Sequence, residues 1–101
     1  MGSLTVSPLV PPEHGLRLIG ELDMATVTQF RMALETVARD GPVTLDLARL
    51  TFIDSTGLHA IMQFARSQNG NGPLILASPA PTAKRAFEIA GLEGHPGVEI
   101  R

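Results

Sequence analysis

The residues best suited to chemistry stand together in Thr51-Phe52-Ile53-Asp54-Ser55-Thr56-Gly57-Leu58. Asp54, Ser55 and Thr56 are all side chains that cap helix N-termini, and Gly57 lets a backbone approach closely. The hydrophobic period changes across this stretch. Val43-Thr44-Leu45-Asp46-Leu47 alternates as a strand, whereas Leu58, Ile61, Met62 and Ala65 recur at helical spacing. A short polar turn thus joins a strand to a helix and presents a hydroxyl at the helix's positive end. One cap needs only one of the three capping residues, and the surplus suits a modification site. A phosphoryl group on Ser55 gains about 0.3–1 kcal/mol from a helix N-terminus. It also places a charge of about −1.5 to −2 beside Asp54, and any docking partner must desolvate that charge. Such a group switches binding off without unfolding the chain.

The elements that position this turn follow from periodicity and punctuation. Leu4 to Val10 alternates loosely and contains Pro8, which predicts an edge strand. After the turn Pro11-Pro12-Glu13-His14-Gly15, Leu16 to Gly20 reads as an antiparallel partner. Thr26 and Gln29 have capping-box spacing and open a helix with Val27, Phe30, Leu34, Val37 and Ala38 on one face. Gln29, Arg31, Glu35 and Arg39 lie on the other, and Gly41-Pro42 ends the pattern. Val43 to Leu47 is the next strand, followed by the polar turn and a helix to about Ser67, then the break at Asn69-Gly70-Asn71-Gly72-Pro73. Leu74 to Ala77 is a strand, Pro81 opens a third helix capped by Gly91, and Val98 to Ile100 is a short last strand.

This order is that of repeated right-handed parallel crossovers. It predicts an α/β fold: a mostly parallel sheet of about five strands, an N-terminal antiparallel edge strand, and helices packed on one face. Polar Arg17, Thr44 and Asp46, alternating with leucines, leave the other face open to water. In such a sheet, ligands meet the loops at the carboxyl ends of the strands. Here those loops are Glu21-Leu22-Asp23-Met24 and Ile53-Asp54-Ser55-Thr56-Gly57.

Composition narrows the function classes. The 101 residues are 44% hydrophobic, enough for one domain spanning residues 1–101. No cysteine is present, which removes disulfides and thiolate metal ligands and fits a cytoplasmic home. The first residues, Met1-Gly2-Ser3-Leu4-Thr5, carry no signal peptide or membrane-span pattern. Net charge is −2, the eight Lys and Arg are scattered, and aromatic content is 4%, so direct nucleic-acid binding is not expected.

Rival chemistries find little support. His59 lies four residues after Ser55, but a hydrolase would need a nucleophile elbow and an oxyanion site, and neither is identifiable. His14, His59 and His95 are too widely spaced for a metal motif and read as solvent-facing. The glycines of Asn69 to Gly72 lack the Lys and Ser or Thr of a phosphate loop. Phe30, Phe64 and Phe87 read as core, and Met32 as packing. Met24 admits two readings, core packing or a pliable partner surface.

Three blocks together resemble a family: Gly20-Glu21-Leu22-Asp23, Phe52-Ile53-Asp54-Ser55-Thr56-Gly57-Leu58 and Lys84-Arg85-Ala86-Phe87-Glu88-Ile89-Ala90-Gly91-Leu92. In order and spacing, from about Leu16 to Leu92, they look like the bacterial anti-sigma factor antagonists, which are single STAS domains. The resemblance implies a regulator without catalysis, cofactor or metal, which binds an anti-sigma factor serine kinase and so frees a sigma factor. It implies phosphorylation of Ser55, with Thr56 as a secondary acceptor, and reversal by a phosphatase. The implied docking surface comprises Glu21, Asp23, Met24, Asp54, Thr56, Gly57, Leu58 and His59. His59 stands where the family often has a small residue, and the sequence stops at Arg101 without the C-terminal helix of many members. The alternative within the same architecture is a non-switching scaffold or accessory subunit, in a stress-sensing assembly or a lipid or anion transport system. Oligomeric state stays open.

Overall fold

The computed structural model describes residues 2–38, 40–68 and 70–101. Met1, Arg39 and Asn69 lie outside the described residues, so the polar-face position expected of Arg39 and the turn position expected of Asn69 are not assigned. The chain runs β1 (Leu4–Pro8), β2 (Gly15–Leu22), α1 (Val27–Glu35), β3 (Val43–Ile53), α2 (Ser55–Ser67), β4 (Leu74–Ala77), α3 (Pro81–Ile89) and β5 (Val98–Ile100). A 3-10 turn, Leu92–Gly94, precedes β5. The sheet order is β1-β2-β3-β4-β5; β1 is antiparallel to β2 and the remaining pairs are parallel.

Sequential strand order with right-handed crossovers puts all three helices on one face. Leu16, Leu18, Leu22, Leu45, Leu47, Leu50, Leu74 and Leu76 point into a single core shared with Phe30 and Leu34 of α1, Ile61 and Phe64 of α2, and Phe87 of α3. On the uncovered face, Arg17 and Asp46 meet in an ion pair at 3.0 Å, with half and a quarter of their side chains exposed. An exposed pair of this kind contributes at most about 1 kcal/mol, whereas each fully buried leucine contributes about 1.5–3. The apolar side of the sheet therefore holds the fold together.

β3 is longer than its pattern suggests. Alternation breaks at Ala48-Arg49, where the strand was expected to end, yet pairing with β2 continues from Arg17↔Asp46 to Ile19↔Arg49, then from Gly20↔Leu50 to Glu21↔Phe52. Each step admits one extra residue on β3, a β-bulge. The first bulge is stabilised by the Asp46 carboxylate, whose Oδ1 accepts the Ala48 amide at 3.1 Å. It resets the phase so that Leu47 and Leu50, three residues apart, both face the core. The strand thereby reaches Ile53, at the threshold of the polar turn.

The capping box expected of Thr26 and Gln29 does not form. Instead, Asp23 Oδ1 accepts the amides of Ala25 (2.9 Å) and Thr26 (3.1 Å), and the Asp23 carbonyl accepts that of Val27. Buried Thr26 donates its hydroxyl to the Glu21 carbonyl at 2.8 Å and accepts the Asp23 amide at 3.0 Å. Gln29 reaches across to the Leu4 carbonyl on β1 at 2.8 Å, a bond available only once β1 is in place. α1 also stops earlier than its apolar face suggests: Val37 still packs on the core from beyond the helix end, but Ala38 is exposed. Met32, expected to pack, is 63% exposed. Gly91 sits at φ 75°, the left-handed conformation expected of a residue just past the end of α3.

Candidate functional site

The site is built where two neighbouring parallel strands end together. Leu22 of β2 pairs with Ile53 of β3, and the Asp54 amide donates to the Leu22 carbonyl at 3.1 Å. The loops carrying Asp23 and Asp54 therefore leave the sheet side by side. This is the arrangement that strand order and the carboxyl-end rule lead one to expect.

Asp54 joins the two loops. Its Oδ1 accepts the amides of Thr56 (3.0 Å) and Gly57 (3.2 Å), which caps α2, and also the Thr56 hydroxyl at 2.5 Å. Its Oδ2 accepts the Met24 amide at 3.2 Å, from a loop thirty residues earlier. Partial burial pushes the Asp54 carboxyl up, but the hydrogen bonds from the Thr56 hydroxyl and from the Gly57, Thr56 and Met24 amides outweigh it. Together they hold the group below its ordinary value of 3.8. Asp23 is committed in the same way: besides the amides on Oδ1, its Oδ2 accepts the Gly2 amide at 3.1 Å. Both acids, read from the sequence as docking charges, are thus also struts of the turn.

Ser55 occupies the first position of α2 and is exposed. Among the described residues its hydroxyl has no hydrogen-bond partner, in contrast to that of Thr56. Met24 is 76% exposed beside the turn, which rules out its reading as core packing. His59 is exposed one helical turn beyond Ser55. Leu58 is half-buried and packs against the core.

Two of the expected contact residues are placed differently. Gly57 is buried and turned inward: a Cβ there would lie 2.7 Å from Leu22 Cγ and 2.9 Å from Ile53 Cγ1. The missing side chain lets the first turn of α2 rest on the ends of β2 and β3, and the close approach is to the sheet. Ala at this position gains about 1 kcal/mol of helix propensity but must overpack a filled space at a cost of about 1–3. Gly57→Ala is therefore expected to lose up to about 2 kcal/mol in urea unfolding, and a net gain of about 1 kcal/mol, the full helix-propensity benefit, would show that the packing yields freely. Glu21 lies on the opposite face of β2 from buried Leu22, in register with Phe52, which is 47% exposed. Phe52 was missed as a surface feature because its outward direction depends on the bulges in β3. The remaining histidines are partly structural: His14 donates Nε2–H to the Ala38 carbonyl at 2.6 Å, and half-buried His95 accepts the Gly97 amide through Nδ1 at 3.1 Å. Among the described residues no cluster of His, Asp and Glu has the makings of a metal centre.

Comparison with known proteins bears on this geometry. The STAS domain family model matches residues 10–99. The anti-sigma F factor antagonist of Lysinibacillus sphaericus is 35% identical in an 81-residue alignment that covers 76% of this chain and 69% of that protein. The chain belongs to the STAS family of anti-sigma factor antagonists. Solved structures agree. The anti-sigma factor antagonist SpoIIAA in its unphosphorylated form superposes with a TM-score of 0.72 at 26% identity, covering 98% of this STAS chain and 88% of that one. The Bacillus cell fate determinant SpoIIAA in the phosphorylated form gives 0.68 at 26% identity, with 98% and 91% covered. An anti-sigma factor antagonist from Mycobacterium paratuberculosis, 19% identical, shares the fold with a TM-score of 0.79 over 97% of this chain and 85% of its own. Among the described residues of this STAS chain, no helix is long and apolar enough to cross a membrane.

Proposed function

We propose that this chain is a cytoplasmic anti-sigma factor antagonist whose binding is switched by phosphorylation of Ser55. Unphosphorylated, it docks on an anti-sigma factor serine kinase through the surface around Met24, Asp54, Ser55 and His59, and a sigma factor is released. The kinase transfers the γ-phosphoryl group of ATP to Ser55 Oγ: the Oγ–P bond forms, ADP leaves, and the hydroxyl proton passes to a base of the kinase. A phosphatase restores the hydroxyl. The protein itself contributes a presented side chain and a docking face, and no catalysis.

The observation that carries this reading is the contrast within one turn. Ser55 is exposed with its hydroxyl free, while the residues on either side are held by hydrogen bonds. A modifying enzyme can thus reach one hydroxyl without disturbing the cap of α2. Incubation with a cognate kinase and ATP is expected to add a single phosphoryl group, read by intact mass, and Ser55→Ala is expected to abolish it. Undiminished incorporation in Ser55→Ala would refute the assignment of the acceptor. No incorporation into the unaltered chain by any candidate kinase would favour a passive scaffold.

A further inference from the structure

The turn carries two adjacent hydroxyls, and the structure treats them differently. Thr56 is half-buried, and its Oγ1 lies 2.5 Å from Asp54 Oδ1, the length of a charge-assisted bond to a carboxylate. Ser55, one residue earlier, is exposed and donates to no described group. The same Asp54 oxygen also accepts the amides of Thr56 and Gly57, and the other oxygen is held by the Met24 amide. The carboxylate therefore has no freedom to swing away from Thr56.

We propose that Asp54 selects the acceptor: by engaging the Thr56 hydroxyl it leaves Ser55 as the one hydroxyl of the turn open to phosphoryl transfer. This rests on the reading of Ser55 as a phosphorylation site and removes Thr56 as its understudy. Transfer to Thr56 would form an Oγ1–P bond, release ADP from ATP and send the hydroxyl proton to the kinase base. The proton that leaves is the one now shared with Asp54. The product would set a dianionic group against the carboxylate, where the reactant had a strong hydrogen bond. Both changes oppose reaction at Thr56; at Ser55 there is no such bond to lose, and the repulsion is weaker because its hydroxyl makes no contact with the carboxylate. Asp54 thus acts as a positioning residue, working through Thr56 and touching neither ATP nor the transferred group.

The test is the distribution of phosphate between the two hydroxyls, mapped by fragmentation mass spectrometry. Because both sites lie in one turn, their ratio cancels any general change in kinase docking. In the unaltered chain essentially all phosphate is expected on Ser55. In Asp54→Asn, whose amide oxygen can still cap α2, replacing the charge-assisted bond by a neutral one is expected to raise the Thr56 share about tenfold. Ser55→Ala is expected to stay unmodified, and Ser55→Ala with Asp54→Asn to accept phosphate on Thr56. Circular dichroism verifies that each variant is folded. Ready phosphorylation of Thr56 while Asp54 is intact would overturn the proposal. So would a Thr56 share that does not rise in Asp54→Asn, or loss of transfer to both hydroxyls in that variant. A kinase-independent arm separates this idea from the switch itself. Nuclear magnetic resonance titration of Asp54 is expected to move upward in Thr56→Val, and an unmoved titration would mean that the bond on which selection depends is absent.

Discussion

Phosphorylated at Ser55, the protein is expected to bind the anti-sigma factor kinase proposed as its partner at least about 100-fold more weakly than the unmodified form, because like-charge and desolvation penalties at an interface amount to several kcal/mol. Its melting temperature is expected to stay almost the same. The structure supplies the reason for this separation. The second and third amides of α2, at Thr56 and Gly57, are already committed to Asp54 Oδ1. A phosphate at the first helical position therefore finds those two amides already taken, and gains from the helix little beyond the diffuse dipole term of about 0.3–1 kcal/mol. Its oxygens remain hydrated and must shed that water at any interface. Calorimetry of binding alongside thermal melting checks both halves. Equal affinity for the two forms would contradict the switch, and lost binding with a collapsed melting temperature would mean that phosphate unfolds the turn. Ser55→Asp, carrying about half the charge, is expected to show a smaller loss of affinity.

Asp54→Ala is expected to destabilise the chain by about 2–3 kcal/mol at pH 7, of which about 1–2 is the lost cap and the rest the unpaired Met24 amide and Thr56 hydroxyl. For a chain of this size that lowers the melting temperature by about 10–20 °C. The loss should be local in origin, with α2 fraying and the loop at Met24 released from the loop at Ser55. Asp54→Asn keeps one acceptor oxygen and is expected to lose about half as much. The pH dependence follows from the sign of the shift. Asp54 is held below 3.8 in the folded chain, so its stabilisation is complete at neutral pH. It declines as pH falls past that value and is gone below the lowered folded pKa. The stability gap between the unaltered chain and Asp54→Ala, measured by urea unfolding, should therefore narrow from pH 7 towards pH 2. A gap that is constant with pH would mean that the ionised carboxylate is not what caps the turn.

Much of the fold was legible because regular elements announce themselves by period and punctuation. α2 ends at Ser67, β4 spans Leu74–Ala77, Pro81 opens α3 and β5 spans Val98–Ile100, all as expected from local pattern. The site was legible in the same sense. Three capping residues between a strand and a helix mark a polar turn, and neighbouring parallel strands bring two such loops together. What pattern reading lost were features that depend on pairing. The bulges hid the last part of β3 and the outward direction of Phe52, because an extra residue changes the phase of alternation only relative to a partner strand. Thr26 and Gln29 have the spacing of a capping box, but the neighbouring backbone at Glu21 and Leu4 offered better partners.

Sequence alone thus determined the order of elements, the place of the turn and the kinds of side chain in it, since these depend on residues a few positions apart. Tertiary structure alone decided which hydroxyl is free. That outcome depends on Asp54 being held from both sides, by α2 through Oδ1 and by the Met24 loop through Oδ2. The second contact spans thirty residues and exists only because Leu22 and Ile53 end their strands in register.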